Sequence, residues 1–231
     1  MLRSEDTVIS ETNILVLLNG QSVSTIECSP HRPEDLALGR LVTAGLLRLG
    51  QPVSARVAAR ESTDDPSVSL RVVIEASEDI ESETEPANRE RALSLPYLSP
   101  GVVCDAVDDL LKRSPLFSLT GAAHSAALCS SCGIVYWSED ISRHNAVDRV
   151  IGRCLVEGSS FEDKFLVTTG RINHEMVHKA AVCGIRVVAS KAPPTDKGIE
   201  LAERLGVTLA GFVRNRRLNV YSHPEIWRRD S

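Results

Sequence analysis

Two thiols three residues apart, Cys129 and Cys132 in the segment C-S-S-C-G, are the first groups in this chain that could do chemistry. The spacing suits a dithiol redox pair, half of a zinc site, or a relay that passes sulfur as a persulfide. A structural zinc site needs four ligands, and no second close cysteine pair exists; Cys154, Cys183 and His124 could complete one only through the fold. The plain alternative buries Cys129 beside Ala126, Ala127 and Leu128 and leaves Cys132 at a turn before Gly133. Cys28, Cys104, Cys154 and Cys183 stand in apolar or helical settings and read as small buried side chains.

Four polar strings accompany the thiols. In S138-E-D-I-S-R-H-N-A-V-D-R, His144 and Asp148 lie four apart on one helical face, with Asn145 and Arg149 as the neighbouring pair. Arg143 and Arg149 there could clamp an anion, since guanidinium groups bind phosphate bidentately. T168-T-G-R-I-N-H-E-M-V-H-K joins two hydroxyls, a glycine and Arg171 to a helix start, which is the equipment of a phosphate site. It also contains His174-Glu175-x-x-His178, a permissive match to zinc-protease spacing that lacks a third ligand. Lys191 and Thr195 in S190-K-A-P-P-T-D-K sit on a backbone stiffened by Pro193-Pro194, and T120-G-A-A-H places a hydroxyl, a glycine and His124 together. Arg143, Arg171, Lys191 and Arg214 against one dithiol describe a holder of a phosphorylated organic ligand near a sulfur nucleophile.

Elements that position these groups follow from the apolar pattern. Ile14 to Cys28 is two apolar runs around Asn19-Gly20 and predicts a hairpin. Pro33 to Leu47 has helical spacing with Pro33, Glu34 and Asp35 at its start, and Val53–Arg60 with Val68–Ala76 alternate like an antiparallel pair across Asp64-Asp65-Pro66. Ser77 to Ala92 is almost devoid of apolar residues and reads as a solvated connection. Pro100 to Arg113 predicts a helix, and after Leu116 strands and helices alternate as in an α/β sheet with helices on both faces. The expected organisation is a lobe over residues 1–76, an acidic connection over 77–99 and an α/β domain over 100–231, with ligands at the strand ends. Of the 231 residues, 42% are hydrophobic and 4% aromatic, so small aliphatics must fill the core. Residues 1–110 carry 9 basic and 19 acidic groups, residues 111–231 carry 17 and 12, and this balance does not suggest a nucleic-acid binder. No apolar run approaches a membrane span, the start MLRSEDTVISE lacks a secretory pattern, and free thiols fit a cytoplasmic location.

The strings TGAAHSAAL, SEDISRHNAVDRVIG, TTGRINHEMVHKAA, VVASKAPPTDKGIELA and TLAGFVRNRRLNVYS, in this order, resemble the FdhD family of sulfur carriers needed for formate dehydrogenase activity. The segment ECSPHRPEDLALGRLVTAGLL is similar to that family's stretch after its first hairpin, and the likeness spans all but about residues 75–100. The resemblance implies a three-layer αβα core similar to the cytidine-deaminase fold, a smaller strand-rich α+β lobe and a homodimer. It implies that persulfide sulfur passes from a cysteine desulfurase to the bis-guanine-dinucleotide molybdenum or tungsten cofactor of formate dehydrogenase or a related molybdoenzyme. A guanine nucleotide would mimic that cofactor, and no permanent metal is expected. The pocket would map onto Thr120, Gly121, His124, Glu139, Asp140, Arg143, His144, Asn145, Asp148, Thr169, Gly170, Arg171, Glu175, Lys179, Ser190, Lys191, Thr195, Phe212 and Arg214.

The chain departs from the family pattern at the sulfur chemistry. Typical members carry C-G-x-C-G upstream of T-G-G-x-H, whereas no cysteine lies here between Cys28 and Cys104. Either Cys129 and Cys132 replace the missing pair, with Cys104 as a third candidate, or the chain is a cofactor-binding chaperone that transfers no sulfur; a zinc-stabilised binding protein is a third reading.

Overall fold

The computed structural model describes residues 6–59, 68–77 and 98–227. The expected turn at Asp64-Asp65-Pro66 and most of the acidic connection lie outside them.

The first sheet begins with a hairpin, β1 (Thr12–Leu18) and β2 (Gln21–Cys28), paired antiparallel. Asn19 and Gly20 turn it with φ of 48° and 79°, the left-handed pair that a tight two-residue hairpin requires. β3 (Val53–Ala59) pairs antiparallel with β4 (Leu70–Ala76), which lies parallel to β1, so the order is β2-β1-β4-β3. Helix α1 (Pro33–Thr43) packs Leu36 and Leu41 into the cluster that holds Ile14, Val16, Val72 and Ile74. Pro33 begins it, and Gly45 (φ 74°) ends it. The amides of Gly45 and Leu46 bond back to Val42 and Leu41, satisfying the last carbonyls.

The second sheet comprises β5 (His124–Ser130), β6 (Gly133–Asp140), β7 (Phe165–Thr168), β8 (Val187–Ser190), β9 (Thr208–Arg214) and β10 (Arg217–Ser222), ordered β10-β9-β8-β7-β5-β6. β7, β8 and β9 are parallel, and the remaining pairings are antiparallel. Alternate residues serve opposite faces. Ala126, Leu128, Leu166, Val188 and Leu209 join the core beneath α4 (Arg143–Val156), α5 (His174–Val182) and α6 (Asp196–Leu205). Ala127, Cys129, Phe165, Val167 and Ala189 face α2 (Pro100–Lys112), which leads into the short α3 (Pro115–Thr120). The α/β class and helices on both faces are as the alternation predicts.

Two strands escape the sequence patterns. β5 is built from HSAALCS, whose alanines are poor strand formers alone, but it is hydrogen-bonded to β6 on one side and β7 on the other. β10 returns from β9 through Asn215 and Arg216, both in the left-handed region, and is exposed enough to show no apolar run. No helix among the described residues is long and apolar enough to cross a membrane.

The two sheets meet where α1 crosses α4 backbone to backbone. A Cβ on Gly39 would lie 1.9 Å from the Asp148 carbonyl oxygen, and one on Gly152 would lie 1.7 Å from that of Asp35. Neither contact is possible, so the crossing depends on both glycines. Gly152→Ala is expected to destabilise the fold by at least about 2 kcal/mol, the scale of core overpacking; a urea midpoint equal to that of the unsubstituted chain would refute this close approach.

Candidate functional site

One end of the second sheet gathers the cations that the sequence scatters. The Thr169 amide bonds to the Ser125 carbonyl (3.0 Å), Lys191 to that of Thr168 (3.4 Å) and Phe212 to that of Ala192 (3.4 Å). These bonds bring the start of β5 and the C-terminal ends of β7, β8 and β9 to one rim, at the place where α/β sheets hold ligands. The loop after β7 is locked from within: Ser190 Oγ donates to the Gly170 carbonyl (2.7 Å), and Gly170 N donates to Thr168 Oγ1. Thr195 caps α6 and Asn173 caps α5 through their side-chain oxygens.

Arg143, the first residue of α4, lies across Gly170. A Cβ there would stand 2.7 Å from Arg143 Cβ and 2.8 Å from its Cδ, so only glycine leaves room for the arginine. The Arg143 Nε is buried with no hydrogen-bond partner among the described residues. Burial first, then the charges of Arg143 and Arg171, hold the His124 imidazole below its usual pKa. Both guanidinium groups are thus within electrostatic reach of His124. Arg171, Lys191 and Arg214 are exposed. Phe212 has φ 53°, a strained conformation for a bulky residue, and the Arg214 guanidinium lies 5.6 Å from its ring centre. His144 Nδ1 stands 3.1 Å from the Glu175 carboxylate and joins the first turns of α4 and α5. Burial and Arg143 lower the His144 pKa while Glu175 opposes them. Cationic donors at and just before two helix starts, with one unused and buried, could hold an anion.

Several sequence-stretch candidates belong elsewhere. Asp140 is fully buried and accepts from the amides of Ser29 and Ser142, from Asn145 Nδ2 and from Arg149, whose Nη2 is 2.9 Å away. Arg149, read from sequence as an anion clamp, is 1% exposed and donates to the carbonyls of Ser29, His31 and Arg32. Asn145 bridges the Glu27 carbonyl and Arg40. Asp148 accepts from Thr43 Oγ1 (2.8 Å) and pairs with Lys179 (2.6 Å) and Arg40 (3.0 Å). Burial pushes the Lys179 pKa down against the pull of Asp148. These side chains are buried and fasten the two sheets together. Glu139 accepts the amides of Leu116 and Phe117 at the start of α3, and Thr120 with Gly121 closes that helix. Nothing in the local sequence signals the fastening, because Ser29, His31 and Arg40 come from more than a hundred residues away.

The cysteines do not converge on the rim. All six are free, and all lie among the described residues. Cys129 is fully buried against α2, and burial, then Asp109, pushes its thiol up to about 12. Cys104 is buried in the same cluster with its pKa raised by burial, which Arg216 opposes. Cys28, Cys154 and Cys183 are buried as expected, with pKa values raised to about 11, 11 and 12 chiefly by burial. Cys132 is exposed in the β5–β6 turn. β5 runs from the rim at His124 away to Ser130, roughly 20 Å at about 3.3 Å per residue. The expected dithiol beside the cations is therefore not formed: one thiol is in the core and the other is at the far end of the sheet. His174 and His178 are exposed, Glu175 is taken by His144, and no metal-holding cluster occurs among the described residues.

The chain has relatives along nearly its whole length. The FdhD/NarQ family model matches residues 9–227. The chain belongs to this family. It is 33% identical to the sulfur carrier protein FdhD of Bacillus subtilis (strain 168) over 236 residues, which cover 96% of this chain and 90% of the relative. It is 34% identical to the protein of the same name from Listeria monocytogenes serotype 4b (strain F2365) over 237 residues, covering 94% and 90%. A crystal structure of a formate dehydrogenase accessory protein from Desulfotalea psychrophila superposes with a TM-score of 0.78 at 28% identity, covering 96% of this chain and 90% of that one. The family resemblance in the motif strings is thus shown, and family membership makes the thiol placement the point of interest.

Native treatment with a thiol-reactive disulfide reagent is expected to label one of the six cysteines rapidly. Cys132→Ser should abolish that fast phase, and a persisting fast phase would show that a second thiol is reachable.

Proposed function

We propose that this family member serves formate dehydrogenase maturation by holding a guanine-dinucleotide molybdenum or tungsten cofactor on the strand-end rim. The observation that carries the reading is the buried, unpartnered Arg143 Nε lying across Gly170, with Arg171 near the same imidazole. A diphosphate presents acceptors to both guanidinium groups, and Lys191 adds a flexible third charge from the next loop. The α4 start offers backbone amides to the same oxygens. Phe212 supplies an aromatic face beside this charge. Bound there, the cofactor would bring its own metal as cargo; the chain binds, orients and releases it.

Sulfur transfer has one candidate thiol. Cys132 is the exposed cysteine, so a persulfide from a cysteine desulfurase would form there. The Cys132 thiolate would attack the outer sulfur of the desulfurase persulfide, a new S–S bond would form, and the desulfurase thiolate would leave. Delivery to the rim would need a second copy, because a homodimer can set one chain's turn against its partner's rim. The separation of thiol and rim within one chain favours the holding role.

GDP binding tests the rim. Arg143→Ala and Arg171→Ala should each weaken it by tenfold or more, about 1.4 kcal/mol per tenfold, and pyrophosphate should compete. Unchanged GDP affinity in the double variant would overturn the site. Incubation with a cysteine desulfurase and cysteine, read by intact mass, separates the two roles. A gain of one sulfur atom lost in Cys132→Ser establishes the carrier, whereas no gain with normal GDP binding establishes the holder.

A further inference from the structure

A cavity of about 640 Å³ opens beside the C-terminal half of β6, between α3, the loop joining β2 to α1, and residues 7–10. Thr120 and Glu139, candidates for the cofactor pocket by sequence, line this cavity, whereas Arg143, Arg171, Lys191 and Arg214 do not. Its size is within the range of small-molecule sites. Three large apolar side chains are left open to solvent here: Val8 at 80%, Leu119 at 64% and Trp137 at 40%. Gathered at one concavity, they mark a binding surface more than scattered exposed residues would.

Its wall is held rigidly. Arg149 donates to the carbonyls of Ser29 (2.6 Å), Arg32 (2.9 Å) and His31, which fixes the loop along one side. Arg32 is kept at φ 44°, a strained backbone that persists only where surroundings over-determine it. The charges around the cavity are mostly consumed. Both Glu139 oxygens take α3 amides, Arg149 is bound to Asp140 and the loop, and Arg32 pairs with Asp35 at 3.2 Å. Burial and Arg149 lower the His31 pKa to about 4, so its imidazole is neutral near pH 7. Its Nε2 lies 3.3 Å from Ser138 Oγ. Arg153, partly exposed and paired with Glu157, contributes the guanidinium on the α4 side.

We propose that this cavity is a second small-molecule site, lined by none of the rim cations, that takes a flat fused-ring aromatic group with at most one negative charge. Trp137 offers a ring to stack on, Leu119 and Val8 exclude water from the ring edges, and Arg153 can leave Glu157 for a single anionic substituent. Neutral His31 and Ser138 supply hydrogen-bonding groups without charge. A polyphosphate finds less complement here than at the rim, because Arg149 is bound to Asp140 and the loop while Arg32 and Arg153 each hold a carboxylate. The two sites thus divide by chemistry: anionic oxygen at the rim, aromatic surface at the cavity.

The chain has two tryptophans, so Trp227→Phe leaves Trp137 as the sole emitter. Titration with 8-anilinonaphthalene-1-sulfonate, a fused ring with one sulfonate, should quench Trp137 and saturate at one probe per chain. Saturating GDP should leave the titration unchanged. Leu119→Arg and, with Trp227 retained, Trp137→Ala should each weaken the probe at least tenfold, while far-UV circular dichroism, thermal midpoint and GDP affinity stay as in the parent. Equal probe affinity in both folded variants would overturn the site, as would displacement of the probe by GDP. Unchanged GDP affinity in the rim variants, with the probe results as expected, would instead count against the rim alone.

Discussion

Asp140 and Arg149 form an ion pair that is closed to solvent, and the arrangement of the two sheets rests on it. Asp140 ends β6, Arg149 lies on α4, and the remaining donors of the arginine reach the loop that launches α1. Removing one partner of such a pair typically costs about 3–5 kcal/mol, because the other is left charged and desolvated. Next to it, Asp148 binds Thr43, Arg40 and Lys179, which joins α1, α4 and α5. The Gly39–Gly152 crossing permits this proximity: with any larger residue there, α1 would stand too far off for Arg40 and Thr43 to reach Asp148. Packing without a Cβ and saturated polar bonding are thus one joint.

That joint also sets the direction of the rim. α4 starts with Arg143 and His144, and its next turns carry Asn145, Asp148 and Arg149 into the joint. The inner face of the helix is occupied by structure, so its first residues are left to face Gly170 and Glu175. Burying several polar residues of one motif therefore orients the few that remain available. The cavity beside β6 arises from the same cause, since Arg149 holds its loop wall while Glu139 is spent on α3.

Family membership and thiol placement pull apart in this chain. Relatives are named sulfur carriers, and the fold is shared with a solved structure, yet the C-x-x-C segment falls across the end of β5. A strand residue buried on both faces cannot share a surface with a residue in the following turn. Cys129 becomes part of the α2 core, and Cys132 is left to solvent at the end of the sheet opposite the cations.

Much was legible from residues alone. Asn19-Gly20 demanded a hairpin, Pro33 with Glu34-Asp35 a helix start, and the apolar alternation after Leu116 a layered sheet, because backbone sterics and burial periodicity act locally. The motif strings identified the family, and Thr168–Arg171 and Ser190–Thr195 were recognisable as strand-end loops. β5 was not, since an alanine-rich strand is specified by the partners on either side of it. Local sequence could not show which polar residues are spent on the fold: Asp140, Asn145, Asp148, Lys179 and Arg149 look like Arg143 and His144 until α1 arrives from a hundred residues upstream. Nor could spacing tell where two nearby cysteines point. Residue types decided what chemistry this chain can offer; long-range packing decided which groups remain free to perform it.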